Sequence, residues 1–241
     1  MRKLFFAVLF APLVVFASGD ELRLDRANID PHDAISIQRG ARVFVNYCLN
    51  CHSANAMRYN RLTDLGLTEQ QIRENLLFTA DKVGDPMSIS ASRKDQRQWF
   101  GVEPPDLSVI ARARGTDWLY TYLRTFYRDE KRLTGWNNLA FPNVGMPHAL
   151  WQLQGSQVLK TQSEEHDGHK VEHKTLVLEH PGSLSPLEYD KVTRDLVNFL
   201  SYMGEPEKTK RSQIGIVVLL FLLLLLVPAW LLKREYWKDV H

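Results

Sequence analysis

Two thiols and an imidazole stand together in the run Cys48-Leu49-Asn50-Cys51-His52, and the chain has no other cysteine. Thiols three positions apart can each add to one vinyl group of the same haem. The adjacent imidazole then lies beneath the ring, where it can bind iron. Two other chemistries use similar residues. A dithiol redox pair has the same cysteine spacing, but it opens a helix after a strand, so that the helix N-terminus lowers the thiol pKa. Here an apolar helical pattern runs before Cys48 instead. A zinc site needs four ligands, and no second cysteine pair is present to complete one. The spacing points to one covalently held haem c, with Cys48 and Cys51 as attachment points and His52 as an iron ligand. A thiol–disulfide oxidoreductase is the rival of a different class.

His52 leaves one axial position of such an iron to fill. A methionine there raises the potential relative to a second histidine. Met57 lies too close to the motif to reach the opposite ring face. Met203 sits in the apolar stripe of a helix and reads as core. Met87 follows Asp85-Pro86 in a polar stretch and is the runner-up. Met146 is the best candidate, in Phe141-Pro142-Asn143-Val144-Gly145-Met146-Pro147. Prolines restrict that backbone, and glycine permits close approach to a flat ring. His148, two positions on, is the bis-histidine alternative. An iron with both axial positions filled has no room for substrate, and no nucleophile–base pair stands out. The chemistry implied is outer-sphere electron transfer, without catalysis by the chain alone.

Around these residues the pattern is mostly helical. Asp33 to Tyr47 predicts a helix with Ile37, Ala41, Phe44 and Val45 near one face. Thr68-Glu69-Gln70-Gln71 is a capping box for a short helix to Leu77. Asp117 to Phe126 predicts another, entered from Thr116. Ser185-Pro186 with Glu188 opens a helix that Gly204 ends, its stripe being Val192, Leu196, Phe199, Leu200 and Met203. Asp81 to Pro105 is polar and poorly periodic and is expected to be loop. Gln157–Lys160 and Thr175–Leu178 predict two short strands. Between and around them lie His166, His169, His173 and His180 among acidic residues, a solvated insert or a secondary metal site.

Two segments stand outside this domain. Met1-Arg2-Lys3, an apolar run to Phe16 and then Ala17-Ser18-Gly19 make a signal peptide pattern, expected to be cut after Ala17. Residues 212–234 are expected to form a transmembrane helix, since Ile214 to Leu232 carries no charge and Lys and Arg flank it. Export followed by stop-transfer puts residues 18–211 in the periplasm of a bacterial inner membrane and residues 235–241 in the cytoplasm. Without Arg2 and Lys3, 28 basic residues balance 28 acidic ones, which gives no reason to expect nucleic acid as a partner.

Several runs resemble one family, cytochrome c1, the haem-bearing subunit of the ubiquinol–cytochrome c reductase (bc1) complex. They are Arg39-Gly40-Ala41-Arg42-Val43-Phe44, Pro104-Pro105-Asp106-Leu107-Ser108, Arg112-Ala113-Arg114, the Met146 loop, and the anchor with Lys233-Arg234-Glu235-Tyr236-Trp237. The resemblance covers nearly the whole mature chain. It implies a mostly α, class I cytochrome c-like haem domain with loop and short β-hairpin insertions, plus one C-terminal transmembrane helix. It implies a proline carbonyl, from Pro104 or Pro105, that accepts the His52 ring proton. It also implies that Arg114 pairs with a haem propionate, and that Gly40 and Phe44 meet Leu196 and Phe199 where the first and last helices of the domain cross. The partners implied are cytochrome b, the Rieske iron–sulfur protein, a soluble or membrane-bound cytochrome c, and the lipid bilayer. An anchored cytochrome c of another respiratory complex would share many of these features. Asn138 is not followed by the proline such a loop is expected to have.

Overall fold

The computed structural model describes residues 22–166 and 169–238. The expected signal peptide and the Asp167-Gly168 turn lie outside the described residues, as do the side chains of His166 and His169.

The domain is organised by two helices that cross. Helix α1 spans Ala34–Val43, and Asp33 caps it by accepting the Ser36 N–H. Helix α7 spans Pro186–Gly204 and opens on a full capping box, with Pro186 in the first turn. Both starts follow the sequence expectation, because a side-chain acceptor satisfies N–H groups that no helical carbonyl can reach. At the crossing a β-carbon on Gly40 would collide with the Asp195 carbonyl and lie 2.7 Å from the Phe199 β-carbon. Gly40 therefore meets Asp195 and Phe199, with Phe44 and Phe199 rings 5.4 Å apart beside them. A buried polar knot fixes the register. Asp195, 4% exposed, accepts from the Ser36 hydroxyl at 2.6 Å and from Arg39 Nε and Nη2 at 2.6 and 3.1 Å.

After α1 the backbone widens into one π-helical turn, Phe44–Cys48. Next come strand β1 (Ala54–Arg58), a 3-10 segment (Tyr59–Leu65) and helix α2 (Glu69–Asn75) with the expected Thr68–Gln71 box. The polar stretch Asp81–Pro105, expected to be loop, contains strand β2 (Pro86–Met87), antiparallel to β1, and helix α3 (Arg93–Phe100). Only Gln96 of α3 is buried, while Trp99 and Phe100 are exposed, so this helix has no apolar stripe to betray it. Helices α4 (Ile110–Arg114) and α5 (Thr116–Arg124) follow. Arg124 ties α5 to α7 through Asp190 and to the N-terminal segment through Asp25, both at 2.6 Å.

A small hairpin, β3 (Phe126–Arg128) with β4 (Trp136–Asn138), precedes the Met146 segment. After the short helix α6 (Trp151–Gln154), the two expected short strands are longer than their apolar cores. Strands β5 (Gly155–His166) and β6 (His169–Pro181) pair antiparallel along their whole length. Helix α8 runs Lys208–Tyr236, and its apolar side chains from Ile214 to Leu232 are exposed. At about 1.5 Å per residue, the 24 residues Gln213–Tyr236 span about 36 Å, enough for a bilayer core.

Candidate functional site

The thiols sit at the end of α1 because the helix overshoots. In the π turn the Leu49 N–H bonds back to the Phe44 carbonyl at 3.0 Å, a five-residue step. The Cys48 carbonyl then accepts from both Cys51 N–H (3.1 Å) and His52 N–H (2.9 Å). One tight turn thus carries both free, half-buried thiols and the imidazole. Burial raises the Cys48 thiol to about 12 and also raises Cys51. A dithiol oxidoreductase needs the opposite shift, since the thiolate is the attacking species. Capture by a carbon–sulfur bond requires no standing thiolate.

His52 is buried, 9% exposed, and its Nδ1 donates to the Pro105 carbonyl at 2.8 Å. Burial disfavours the imidazolium against the pull of that carbonyl and of Asp106. The ring is therefore neutral, and Nε2 keeps its lone pair for a metal.

The run Pro104–Ser108 owes its position to a net of hydrogen bonds. The Leu107 N–H bonds the Ser53 carbonyl at 2.9 Å, beside His52. Asp106 accepts from Asn55 N–H and Ser108 N–H, each at 2.8 Å, and the Ser108 hydroxyl accepts from Ala56 N–H at 3.0 Å. Desolvation raises the Asp106 pKa, but these hydrogen bonds outweigh it and hold the carboxyl below its usual value. The Pro-Pro-Asp-Leu-Ser run is thus a clamp on the segment after the thiols, and its product is the placement of the Pro105 carbonyl.

Met57, Met87 and Met203 are buried in the main core. Met87, the runner-up for the axial position, is fully buried and pairs with Ala54 between β1 and β2. Met146 is instead half-buried against a separate small cluster of Phe126, Trp136, Val144 and Tyr122. The Tyr122 hydroxyl donates to the Met146 sulfur at 3.3 Å. Burial pushes that hydroxyl far above its usual pKa, so it remains a donor. His148 is buried, its ring stacked 4.9 Å from Phe126 and edge-on to Trp136, with burial lowering it to about 4. The segment before Pro105 reaches this loop: Val102 would lie 3.2 Å from a β-carbon on Gly145.

Arg114 lies 5.0 Å above the Trp118 ring and 5.8 Å from Phe141. Trp118 stacks on Tyr122 at 5.0 Å, so Arg114, Trp118, Tyr122 and Met146 form one continuous stack. Sequence patterning missed Tyr122 and Trp118, which read as ordinary members of an amphipathic helix. Of the histidine-rich insert, His173 and His180 are exposed, and among the described residues no three His, Cys, Asp or Glu side chains gather as a metal site.

The donor set fits a haem: two free thiols and a neutral imidazole on one turn, with a thioether held beside an aromatic stack. Comparison with known proteins agrees. A family model described as the Cytochrome C1 family matches residues 26–176 and 182–240. The chain is 52% identical, over its whole length and 99% of the relative's, to a Nitrosomonas europaea protein named ammonia monooxygenase gamma subunit. It is 50% identical, over the whole of both chains, to cytochrome c1 of Allochromatium vinosum. It is 26% identical to cytochrome c1 of Rhodospirillum rubrum, covering 87% of this chain and 83% of that one.

Proposed function

This chain belongs to the cytochrome c1 family and is the haem-bearing electron-transfer subunit of a bc1 complex, and from that premise we propose the roles of its residues and its partners. It carries one covalently bound haem c and is anchored in a membrane. When bound, the haem supplies a one-electron iron couple. Cys48 and Cys51 hold it through thioethers, and His52 Nε2 ligates the iron while Pro105 keeps Nδ1 protonated. Met146 is the sixth ligand, with Tyr122 donating to its sulfur. Arg114 pairs with a propionate, supported by its place at the open end of the stack that ends at Met146.

The electron donor is the Rieske iron–sulfur protein, the acceptor is a soluble or membrane-bound cytochrome c, and cytochrome b packs beside the anchor. Pro228 inside α8 leaves a backbone carbonyl without its helical donor, which a neighbouring membrane helix would cover. Residues 1–17 are a cleaved signal peptide, 18–211 face the periplasm of a bacterial inner membrane, 212–234 cross it, and 235–241 remain in the cytoplasm.

The observation that carries the reading is the His52 turn, with Nδ1 held at 2.8 Å by Pro105 and two cysteines not joined to each other beside it. The test is purification from native membrane with a haem spectrum and subunit identification. Covalent haem, with cytochrome b and a two-iron protein alongside, is the expected result. Free thiols with no tetrapyrrole absorbance would overturn it, and haem with monooxygenase subunits would favour the name the Nitrosomonas relative carries. Replacing Met146 with Leu should abolish the red iron–thioether charge-transfer band, and an intact band would remove Met146 from the ligand set.

A further inference from the structure

Residues 139–150, which carry Met146, form neither helix nor strand. Their backbone N–H groups need acceptors from elsewhere. Two consecutive asparagines at the end of β4 supply three of them. Asn138 is fully buried. Its Oδ1 accepts from Ala140 N–H at 2.8 Å and from Phe141 N–H at 3.0 Å. Its Nδ2 donates to the Tyr122 carbonyl at 2.7 Å, on the same residue whose hydroxyl reaches Met146. Asn137, 7% exposed, accepts from Asn138 N–H at 2.9 Å and from Asn143 N–H at 2.8 Å, and donates to Asp129 at 2.8 Å. The N–H groups of residues 140, 141 and 143 are thereby all served by side chains.

A carboxamide carries a two-lone-pair acceptor and a separate two-proton donor on one short, uncharged side chain. An aspartate at position 138 would lose the bond to Tyr122 and bury a carboxylate, and a leucine would strand several N–H groups. The β3–β4 register sets both amides, with Asn138 opposite Phe126 and Asn137 opposite Tyr127.

We infer that Asn137 and Asn138 are positioning residues that template this loop and so hold the Met146 thioether on the iron. The inference rests on Met146 being the sixth ligand. It makes the asparagine pair part of what keeps the iron six-coordinate.

The test uses the full chain in detergent-solubilised native membrane, with Asn138→Ala and Asn137→Ala made separately. Three readouts apply: the red iron–thioether band, binding of added imidazole to the ferric protein, and the ferrous carbon monoxide difference spectrum. Covalent haem content and the far-ultraviolet melt report whether the domain is intact. Each variant should bind imidazole at least about tenfold more tightly, the factor that corresponds to ~1.4 kcal/mol, which is less than the three hydrogen bonds that each alanine removes could contribute. The band should weaken, and carbon monoxide should bind where the parent resists it. Wild-type band and imidazole affinity in both variants would overturn the inference. If Asn138→Ala yields no mature protein, Asn137→Ala decides alone. A Met146→Leu chain that keeps the band removes the ligand assignment itself, and this inference with it, whatever the asparagine variants do.

Discussion

Tyr122→Phe removes one oxygen from the cluster around Met146 and leaves the ring in place. Trp118 still stacks on one face at 5.0 Å, and Phe126 still meets the ring edge at 5.0 Å. What is lost is a single hydrogen bond, hydroxyl to thioether sulfur, of 3.3 Å. A neutral hydrogen bond contributes about 0.5–1.5 kcal/mol net, and sulfur is a weak acceptor, so about 0.5–1 kcal/mol is at stake. Donation to the sulfur draws electron density away from it. With Met146 as the proposed iron ligand, ferric iron would depend on that density more than ferrous iron does, so the bond would favour the reduced state. Its loss should therefore lower the reduction potential. A one-electron couple moves about 59 mV per 1.4 kcal/mol, so the full differential corresponds to a drop of about 20–40 mV. A spectroelectrochemical titration of parent and variant in the same detergent measures it. The red iron–thioether band must persist, which shows that the ligand has not been exchanged. A potential unchanged within about 10 mV, or one that rises, would refute the argument that this hydroxyl tunes the couple.

Gly40→Ala places a methyl group where the Asp195 carbonyl and the Phe199 β-carbon already stand, and backbone cannot yield as a flexible side chain can. Overpacking of this kind costs about 1–3 kcal/mol or more, so the thermal midpoint of the haem domain should fall by several degrees, while a midpoint at the parent value would contradict the crossing described. Glu188 gives a pH signature. The Ser185 hydroxyl and N–H hold its carboxyl below the usual range, so its capping contribution is present above the unfolded value of about 4.3 and is lost as pH falls through the folded value. The stability advantage of the parent over Glu188→Gln, read from melts at a series of pH values, should shrink on acidification and would count against the box if it grew.

The parts of the domain that obey local rules were legible. Thr68 and Ser185 accept N–H groups at helix starts, and such acceptors are chosen by residue type within four positions. The thiol pair and its histidine were legible for the same reason, since their spacing is their chemistry. Helix α3 was not, because Arg93–Phe100 buries a glutamine and exposes its aromatics, leaving no period to read. The length of β5 and β6 was hidden likewise, as both strands mix charges and histidines along a two-stranded ribbon. The surroundings of Met146 depend on Tyr122, Asn137 and Asn138, which reach it only through the β3–β4 register and the packing of α5. No pattern within the loop announces them. Pro104–Ser108 stood out as a run, and the resemblance implied a proline carbonyl for His52, yet the hydrogen bonds that place that carbonyl involve partners fifty residues away.

The widened turn at Phe44–Cys48 divides one continuous rod into two independently aimed halves. Upstream of it, side-chain azimuth answers to Asp195 and Phe199 across the crossing; downstream, it answers to the Cys51–His52 turn. An ordinary α-helical path through the same residues would turn Cys48 by about 100° relative to Gly40, one residue's worth of rotation. The inserted residue therefore acts as a phase shifter: it absorbs one residue's rotation, so that the crossing upstream and the thiols downstream each keep their own face.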